Sequence, residues 1–256
     1  MQIIDSHANI THDGVWLNPK YKSSISSLIN QMEQTNTVKA VLISLSIQTN
    51  FYIQKMINDS INNTYKGVGF VDFTKDDFVD QADFLLSNGF SGIKVHPRLQ
   101  GINLCKKKYQ LFWEYLNSKK CILLIDGYFQ LTNHRIMIKD LLPLNYESHI
   151  SKYSKVNIIY AHCGFHKVMD VFFLCKSYEN FYANLSYSLN FIGKTSFYND
   201  YKFLIEHCDR KILFGSDFPE ISLKKSISDF QKLSNHLKDE KKNNILFNNA
   251  FNLFWK

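Results

Sequence analysis

Residues 156–217 hold three strand-like runs, VNIIYAH (156–162), FYANLSY (181–187) and KILFGSD (211–217). The stretches between them, 167–178 and 199–207, carry apolar residues at helical spacing. The runs are rich in Val, Ile, Leu, Phe and Tyr and have strand length. They are nearly continuous in apolar character rather than alternating, which is the mark of parallel strands covered on both faces. The same unit recurs toward the N-terminus, with runs QIID (2–5), VKAVLISLS (38–46), GVGFVDF (67–73), GIKVH (92–96) and CILLID (121–126). Helical spacing falls between them at 24–34, with Ile25, Leu28, Ile29 and Met32, at 76–88, where Gly89 follows the end, and at 109–116. Strand and helix alternate roughly every 30 residues, and eight such units close a barrel of about 250 residues. The fold predicted is therefore α/β, a (β/α)₈ TIM barrel, with residues 1–256 as one domain. Residues 241–255 are expected to form a helix over the barrel exterior. An open doubly wound sheet is disfavoured, because no G-x-G-x-x-G follows the first strand.

The composition, 45% hydrophobic and 21% charged, is that of a globular chain. Thirty Lys and Arg against 23 Asp and Glu leave a net charge of +7, which suits an anionic small molecule. No basic run interleaved with aromatics appears, so nucleic acid is not expected as a partner; Lys106, Lys107 and Lys108 read as a solvated helix face. No apolar run is long enough for a membrane span. The five cysteines include no CxxC pair, which argues against a zinc ribbon or a disulfide framework and suits a reducing cytoplasm. The N-terminus lacks the pattern of a signal peptide. A homodimer is left open.

Polar residues at the C-terminal ends of barrel strands are the natural catalytic candidates. Here they are His7 and Asn9 after strand one, Lys94 and His96 at strand four with Arg98 beyond, Asp126 at strand five, His162 at strand six and Asp217 at strand eight. A single histidine in such a place is more often structural. Four or five strands delivering His or Asp to one rim need a metal, partner or substrate to offset the cost of burying them. Alternation puts His7 and Asn9 on one face, and Lys94 and His96 on one face. Side chains of His7, Asp126, His162 and Asp217 are expected within about 8 Å of one another. Tyr128, after strand five, is a candidate pocket residue. His12 and Trp16, in the first loop, read equally as substrate-shaping or surface residues. His134, His149, His166, His207 and His236 read as surface or packing residues. Ser6 and Ser216 lie in no nucleophile elbow.

The motifs IDSHANI, GIKVHP, YAHCG, ILFGSDFP and the terminal NNILFNNAFNLFW, in this order, resemble the amidohydrolase superfamily. They are most similar to its amidohydrolase-related branch, which includes aminocarboxymuconate-semialdehyde decarboxylase-like enzymes. The resemblance implies a TIM barrel that hydrolyses amide, ester or lactone bonds, or decarboxylates unsaturated acids. It implies that His7 and Asp217 are metal ligands, Asp217 also a proton acceptor, and that His162 faces the substrate. Asn9 stands where a second histidine is expected, and Asp126 where strand five normally offers one. A set of His7, Asp126 and Asp217 is rich in oxygen, so one divalent metal, zinc or manganese, is one alternative and a metal-free site the other. Two metals are not expected, and Lys94, with His96, Arg98, Asn9 and Tyr128, is read as substrate-binding, or as half of an ion pair with a rim acid. The leading expectation is a hydrolase with Asp217 and His162 as catalytic residues; the alternatives are a metal-assisted decarboxylase and a non-catalytic member.

Overall fold

The computed structural model describes residues 1–128 and 136–256. His134, read above as a surface or packing residue, lies outside them. The elements in order are β1 (Ile3–Asn9), α1 (Ile25–Glu33), β2 (Thr37–Ile43), α2 (Ile47–Asn58), β3 (Tyr65–Phe70), α3 (Phe78–Ser87), β4 (Gly92–Val95), α4 (Pro97–Gln100), α5 (Gln110–Lys119) and β5 (Ile122–Ile125). There follow α6 (Glu147–Lys152), β6 (Asn157–Tyr160), α7 (Val168–Ser177), β7 (Phe181–Asn184), α8 (Ser188–Ile192), α9 (Tyr198–His207), β8 (Ile212–Leu213), α10 (Leu223–Leu233), α11 (Asp239–Asn243) and α12 (Asn249–Phe254). All eight expected strands form, pair in parallel, and stand in chain order. Beyond β8 the chain closes onto β1: Ser6 N–H donates to Phe214 O at 3.0 Å, Asp217 N–H to His7 O at 3.0 Å and Asn9 N–H to Phe218 O at 2.8 Å. The result is a TIM barrel, as the sequence predicts.

Alternation along the strands sorts the apolar residues into two clusters. Ile122 and Leu124 of β5 face inward with Ile4, Val41, Ile43, Val68, Ile159 and Leu213. Leu123 and Ile125 face outward with Ala40, Leu42, Ile93 and Val95, against helix residues such as Leu28, Leu85, Phe112 and Leu174. The inward positions change character toward the C-terminal ends. Lys94, Asp126 and Asn184 follow the apolar layers and are buried there.

Strand ends differ from the sequence reading where hydroxyls and turns intervene. β2 stops at Ile43 rather than running to residue 46, because Ser46 caps α2: its Oγ accepts from Thr49 N at 3.1 Å. β6 stops at Tyr160 and β8 at Leu213, so His162 and Asp217 stand on turns beyond their strands.

The C-terminal segment is helical, but its expected place on the barrel exterior needs correction. Ala250 and Phe254 of α12 join the interior cluster. Trp255 Nε1 donates to Asn63 O at 2.7 Å, just before β3, and the Lys39 ammonium lies 5.2 Å from the Trp255 ring. The segment thus stops the N-terminal mouth of the barrel, where Ile4, Val41 and Ile122 would otherwise meet water. No helix among the described residues is long and apolar enough to cross a membrane.

Candidate active site

A cavity of about 390 Å³ opens at the C-terminal ends of the strands. Its lining includes every site residue singled out in the sequence: His7, Asn9, Lys94, His96, Arg98, Asp126, Tyr128, His162 and Asp217.

β1 brings His7 and Asn9 there through a bulge. Asp5 pairs with Ala40 of β2, but Ala8 pairs with Leu42, so β1 spends one extra residue. Ile4 faces inward before the bulge and Ala8 faces outward after it, which turns His7 and Asn9 into the cavity. The fully buried Asp5 holds this geometry. Its Oδ1 accepts from His7 N at 3.1 Å and Ser216 N at 2.9 Å, and its Oδ2 accepts from Ser216 Oγ at 2.6 Å. Ser216 and Ser6, whose Oγ donates to Phe214 O at 2.6 Å, are thus structural bonds of the closure.

Two further residues enter through left-handed backbone. His162 has φ 63° and Asp217 φ 65°. Strict alternation after Ala161, which faces inward, would send His162 outward; the left-handed turn returns it to the cavity. Asp217 Oδ1 accepts from Asn9 Nδ2 at 3.1 Å and lies 3.5 Å from His7 Nε2. Gly215 leaves the floor open, since a Cβ there would lie 2.9 Å from Asn184 Nδ2 and 3.0 Å from His7 Cβ.

Asp126 is the electrostatic centre of the opposite wall. Its Oδ2 lies 2.9 Å from Lys94 Nζ, 3.3 Å from His162 Nε2 and 3.4 Å from His96 Nε2. Its Oδ1 accepts from Tyr128 N at 3.0 Å. Burial opposes its charge, but His96, Lys94 and His162 outweigh burial and hold its carboxyl well below the usual range. The ion-pair reading of Lys94 is therefore what the structure contains. His96 Nδ1 accepts from Leu99 N at 3.5 Å, so its Nε2 carries the hydrogen toward Asp126. Burial pushes His96 down to about 3, and it is neutral.

His162 is the converse case. Its Nδ1 lies 2.9 Å from Ser186 O and must donate, which leaves Nε2 facing a carboxylate. A bare Nε2 lone pair there would repel Asp126, so the carboxylate favours a proton on Nε2. Burial works against this, but the charge and hydrogen bond of Asp126 more than offset it, and the His162 pKa is raised. His7 goes the other way: burial, then the charges of Lys94 and His162, hold it well below its ordinary value. Burial and the Asp126 and Glu220 charges push Asp217 up to about 6, although His162 opposes them.

Strand seven supplies residues the sequence reading did not name. Asn184 Nδ2 donates to Ser6 Oγ at 3.0 Å and lies 3.4 Å from His7 Nδ1. Ser186 Oγ lies 3.3 Å from His7 Nδ1 and 3.1 Å from His162 Nδ1, so one hydroxyl orients both imidazoles. The signal was present: Asn184 and Ser186 share one face of FYANLSY at the end of an otherwise apolar strand. Tyr187, beside Tyr128 at 5.1 Å between rings, also lines the cavity, as do Trp16 and Glu220. His12 does not line the cavity.

His7, His162 and Asp217 each offer a ligand atom, all within 4.8 Å of one another, and form the one such group among the described residues. First-shell bonds to a divalent ion are ~2.0–2.2 Å, so this set fits one ion after small side-chain adjustments. Asp126, expected as a ligand, instead faces Lys94, His96 and His162.

Known proteins were compared with this fold and site. An uncharacterized TIM-barrel protein from Bordetella bronchiseptica superposes with a TM-score of 0.84 at 13% identity, over 99% of this chain and 98% of the other. A probable 2-pyrone-4,6-dicarboxylic acid hydrolase from Acinetobacter baumannii, with citric acid bound, superposes with a TM-score of 0.70 at 17% identity over 100% of both chains. A dihydroxybenzoic acid decarboxylase from Polaromonas sp. JS666, with bound manganese and the inhibitor 2-nitroresorcinol, gives 0.72 at 14% identity over 99% and 97%. At these identities the likeness is one of fold. A search of curated proteins gives no match. The family model Amidohydro_2, described as amidohydrolase, matches residues 32–254. The match takes in β2 to β8; β1, with His7 and Asn9, is the one strand outside it. A match of that extent, on this barrel, makes the chain an enzyme of the amidohydrolase family, in its amidohydrolase-related branch.

Proposed function

We propose that the enzyme hydrolyses an amide, ester or lactone carbonyl in a small carboxylated molecule, with Asp217 as base and His162 as the group that holds the carbonyl oxygen. The observation that carries this reading is the contrast between the two groups. The Asp217 carboxyl is pushed up to about 6, while the charge and hydrogen bond of Asp126 raise the His162 pKa. A base poised near neutrality beside an imidazole donor is what acyl hydrolysis needs.

In this mechanism water in the cavity gives its proton to Asp217 as its oxygen adds to the carbonyl carbon. His162 Nε2–H donates to the oxygen on which negative charge develops. The bond from carbon to the leaving oxygen or nitrogen then breaks, and the proton held by Asp217 passes to the leaving atom. Asn9 and His7 aim the Asp217 carboxylate, and Ser186 fixes the His162 ring. A divalent ion, zinc or manganese, would be held by His7, His162 and Asp217 only with His162 Nε2 deprotonated, and would then itself supply the polarisation that Nε2–H supplies without it, together with a more acidic water. Manganese in the Polaromonas decarboxylase supports that ion. The Acinetobacter hydrolase supports a lactone substrate. The five free cysteines fit a reducing cytoplasm.

The test is a panel of carboxylated lactones and cyclic amides, assayed with protein as purified and after chelation. Elemental analysis should find at most one divalent ion per chain. Ring opening lost by ~10²–10⁴-fold in Asp217→Asn is expected for removal of a positioned base. Release of carbon dioxide from hydroxybenzoates, with no ring opening anywhere in the panel, would replace this reading with the decarboxylase.

A further inference from the structure

The cavity has two walls of opposite character. Lys94 and Arg98 lie on the β4 side, with the Arg98 guanidinium 5.3 Å from the Tyr128 ring. Asp217 and Glu220 lie on the side where the chain leaves β8. Lys94 is matched by Asp126 at 2.9 Å. Glu220 has no such match. Its Oε1 accepts from Trp16 Nε1 at 2.7 Å, and among the described residues no cationic nitrogen lies within ion-pair distance of either oxygen. The bond from the buried Trp16 holds this carboxylate at the cavity.

The positive excess of the whole chain is not repeated among the described residues of the cavity. Among its described lining residues the cations Lys94 and Arg98 stand against the carboxylates Asp126, Asp217 and Glu220. The net charge of +7 lies elsewhere on the chain. A dicarboxylate would place one of its ends against Glu220 and Asp217, where like charges meet and no cationic nitrogen among the described residues pairs with Glu220.

We propose that the cavity selects a zwitterion, with its carboxylate toward Lys94 and Arg98 and a protonated amine at Glu220, which is the specificity-determining residue. The inference rests on the hydrolase reading only for the location of the site. It names a substrate class for that site: a lactone or cyclic amide that carries both a carboxylate and an amine.

Binding of unreactive probes tests it on the whole protein by calorimetry. The probes are meta-(aminomethyl)benzoate and isophthalate, which share a ring and one carboxylate and differ in the sign of the second group. Wild type should bind the ammonium probe about tenfold or more tightly than isophthalate, the scale of one hydrogen bond to a charged partner. Glu220→Gln keeps an acceptor for the Trp16 indole and should bring the two affinities close together. Glu220→Lys should reverse the preference. Tryptophan fluorescence and melting temperature report whether the fold of each variant is kept. Equal or tighter binding of isophthalate by wild type, an unchanged ratio in Glu220→Gln, or no measurable binding of the ammonium probe overturns the proposal. Neither probe has to react, so the two readings fail separately. Probe preference without hydrolysis of any lactone or amide sinks the hydrolase alone. Hydrolysis of a dicarboxylated lactone by a protein that prefers isophthalate sinks the zwitterion alone.

Discussion

His162 and Asp217 both carry left-handed backbone, a conformation that costs a residue with a Cβ about 1–3 kcal/mol. The cost is sustained by the bonds around them, above all those of Asp5 to Ser216 and of Ser186 to His162. Asn tolerates this backbone region as readily as Asp, so Asp217→Asn isolates the loss of charge. With ions stripped from the protein, the base must be ionised to act. Since Asp217 sits at about 6, kcat/KM should fall as pH drops through that value, and rate profiles of wild type should show this acid limb. Stability runs the opposite way. The folded pKa is raised above that of an ordinary aspartate, so an ionised Asp217 destabilises the folded protein above pH about 6 and this cost is gone below pH about 4. Asp217→Asn should therefore melt higher than wild type at neutral pH, with the difference vanishing in acid. A variant equal to or less stable than wild type at pH 7 would contradict the raised pKa.

At the scale of strands, one extra residue decides where β1 points. Ile4 belongs to the interior, and without the bulge the same alternation would aim Ser6 and Ala8, not His7 and Asn9, at the cavity. Gly215 plays the matching part on the closing side. A Cβ there meets Asn184 and His7 Cβ at 2.9–3.0 Å, so Gly215→Ala should cost about 1–3 kcal/mol through overpacking. It should also lower kcat/KM by displacing His7; denaturant melts and kinetics of the one variant check both. What the sequence made legible follows the same division. Near-continuous apolar runs revealed all eight strands, since parallel strands need both faces covered. The ionisable residues at their ends revealed the cavity lining, because so many charges on one rim have no cheap structural explanation. Beyond the ion pair of Lys94 with a rim acid, which the sequence left open, pairings across the barrel were not legible: that Asp126 would also take His96 and His162, and that Ser186 would orient both imidazoles, depend on turns with no local signature. The place of the last helix was missed because its apolar face is the same whether it packs on the side of a barrel or on its end.

Over the whole molecule, stability and chemistry sit at opposite ends of one axis. Phe254 fills the N-terminal mouth together with Ile4 and Val41, far along the strands from His7 and Asp217. Phe254→Ala should cost about 3–5 kcal/mol, the usual penalty for emptying a buried aromatic site. In protein that remains folded, turnover should be unchanged, since barrel rims and barrel floors are separately built. An equal loss of turnover would show that the plug supports the site.

The clasp of Asp5 on Ser216 has a consequence for biosynthesis. β1 is made before the other strands, yet its partner on the closing side arrives only with Phe214 to Phe218, after β8. Until then the growing polypeptide carries an open strand edge and a buried-type aspartate without its two Ser216 donors, both hazards for a chain still attached to the ribosome. Chains cut before Phe214 should be retained by chaperones or aggregate, whereas a chain that has passed Phe218 can seal the ring and assemble His7, Asn9 and Asp217 in the same event.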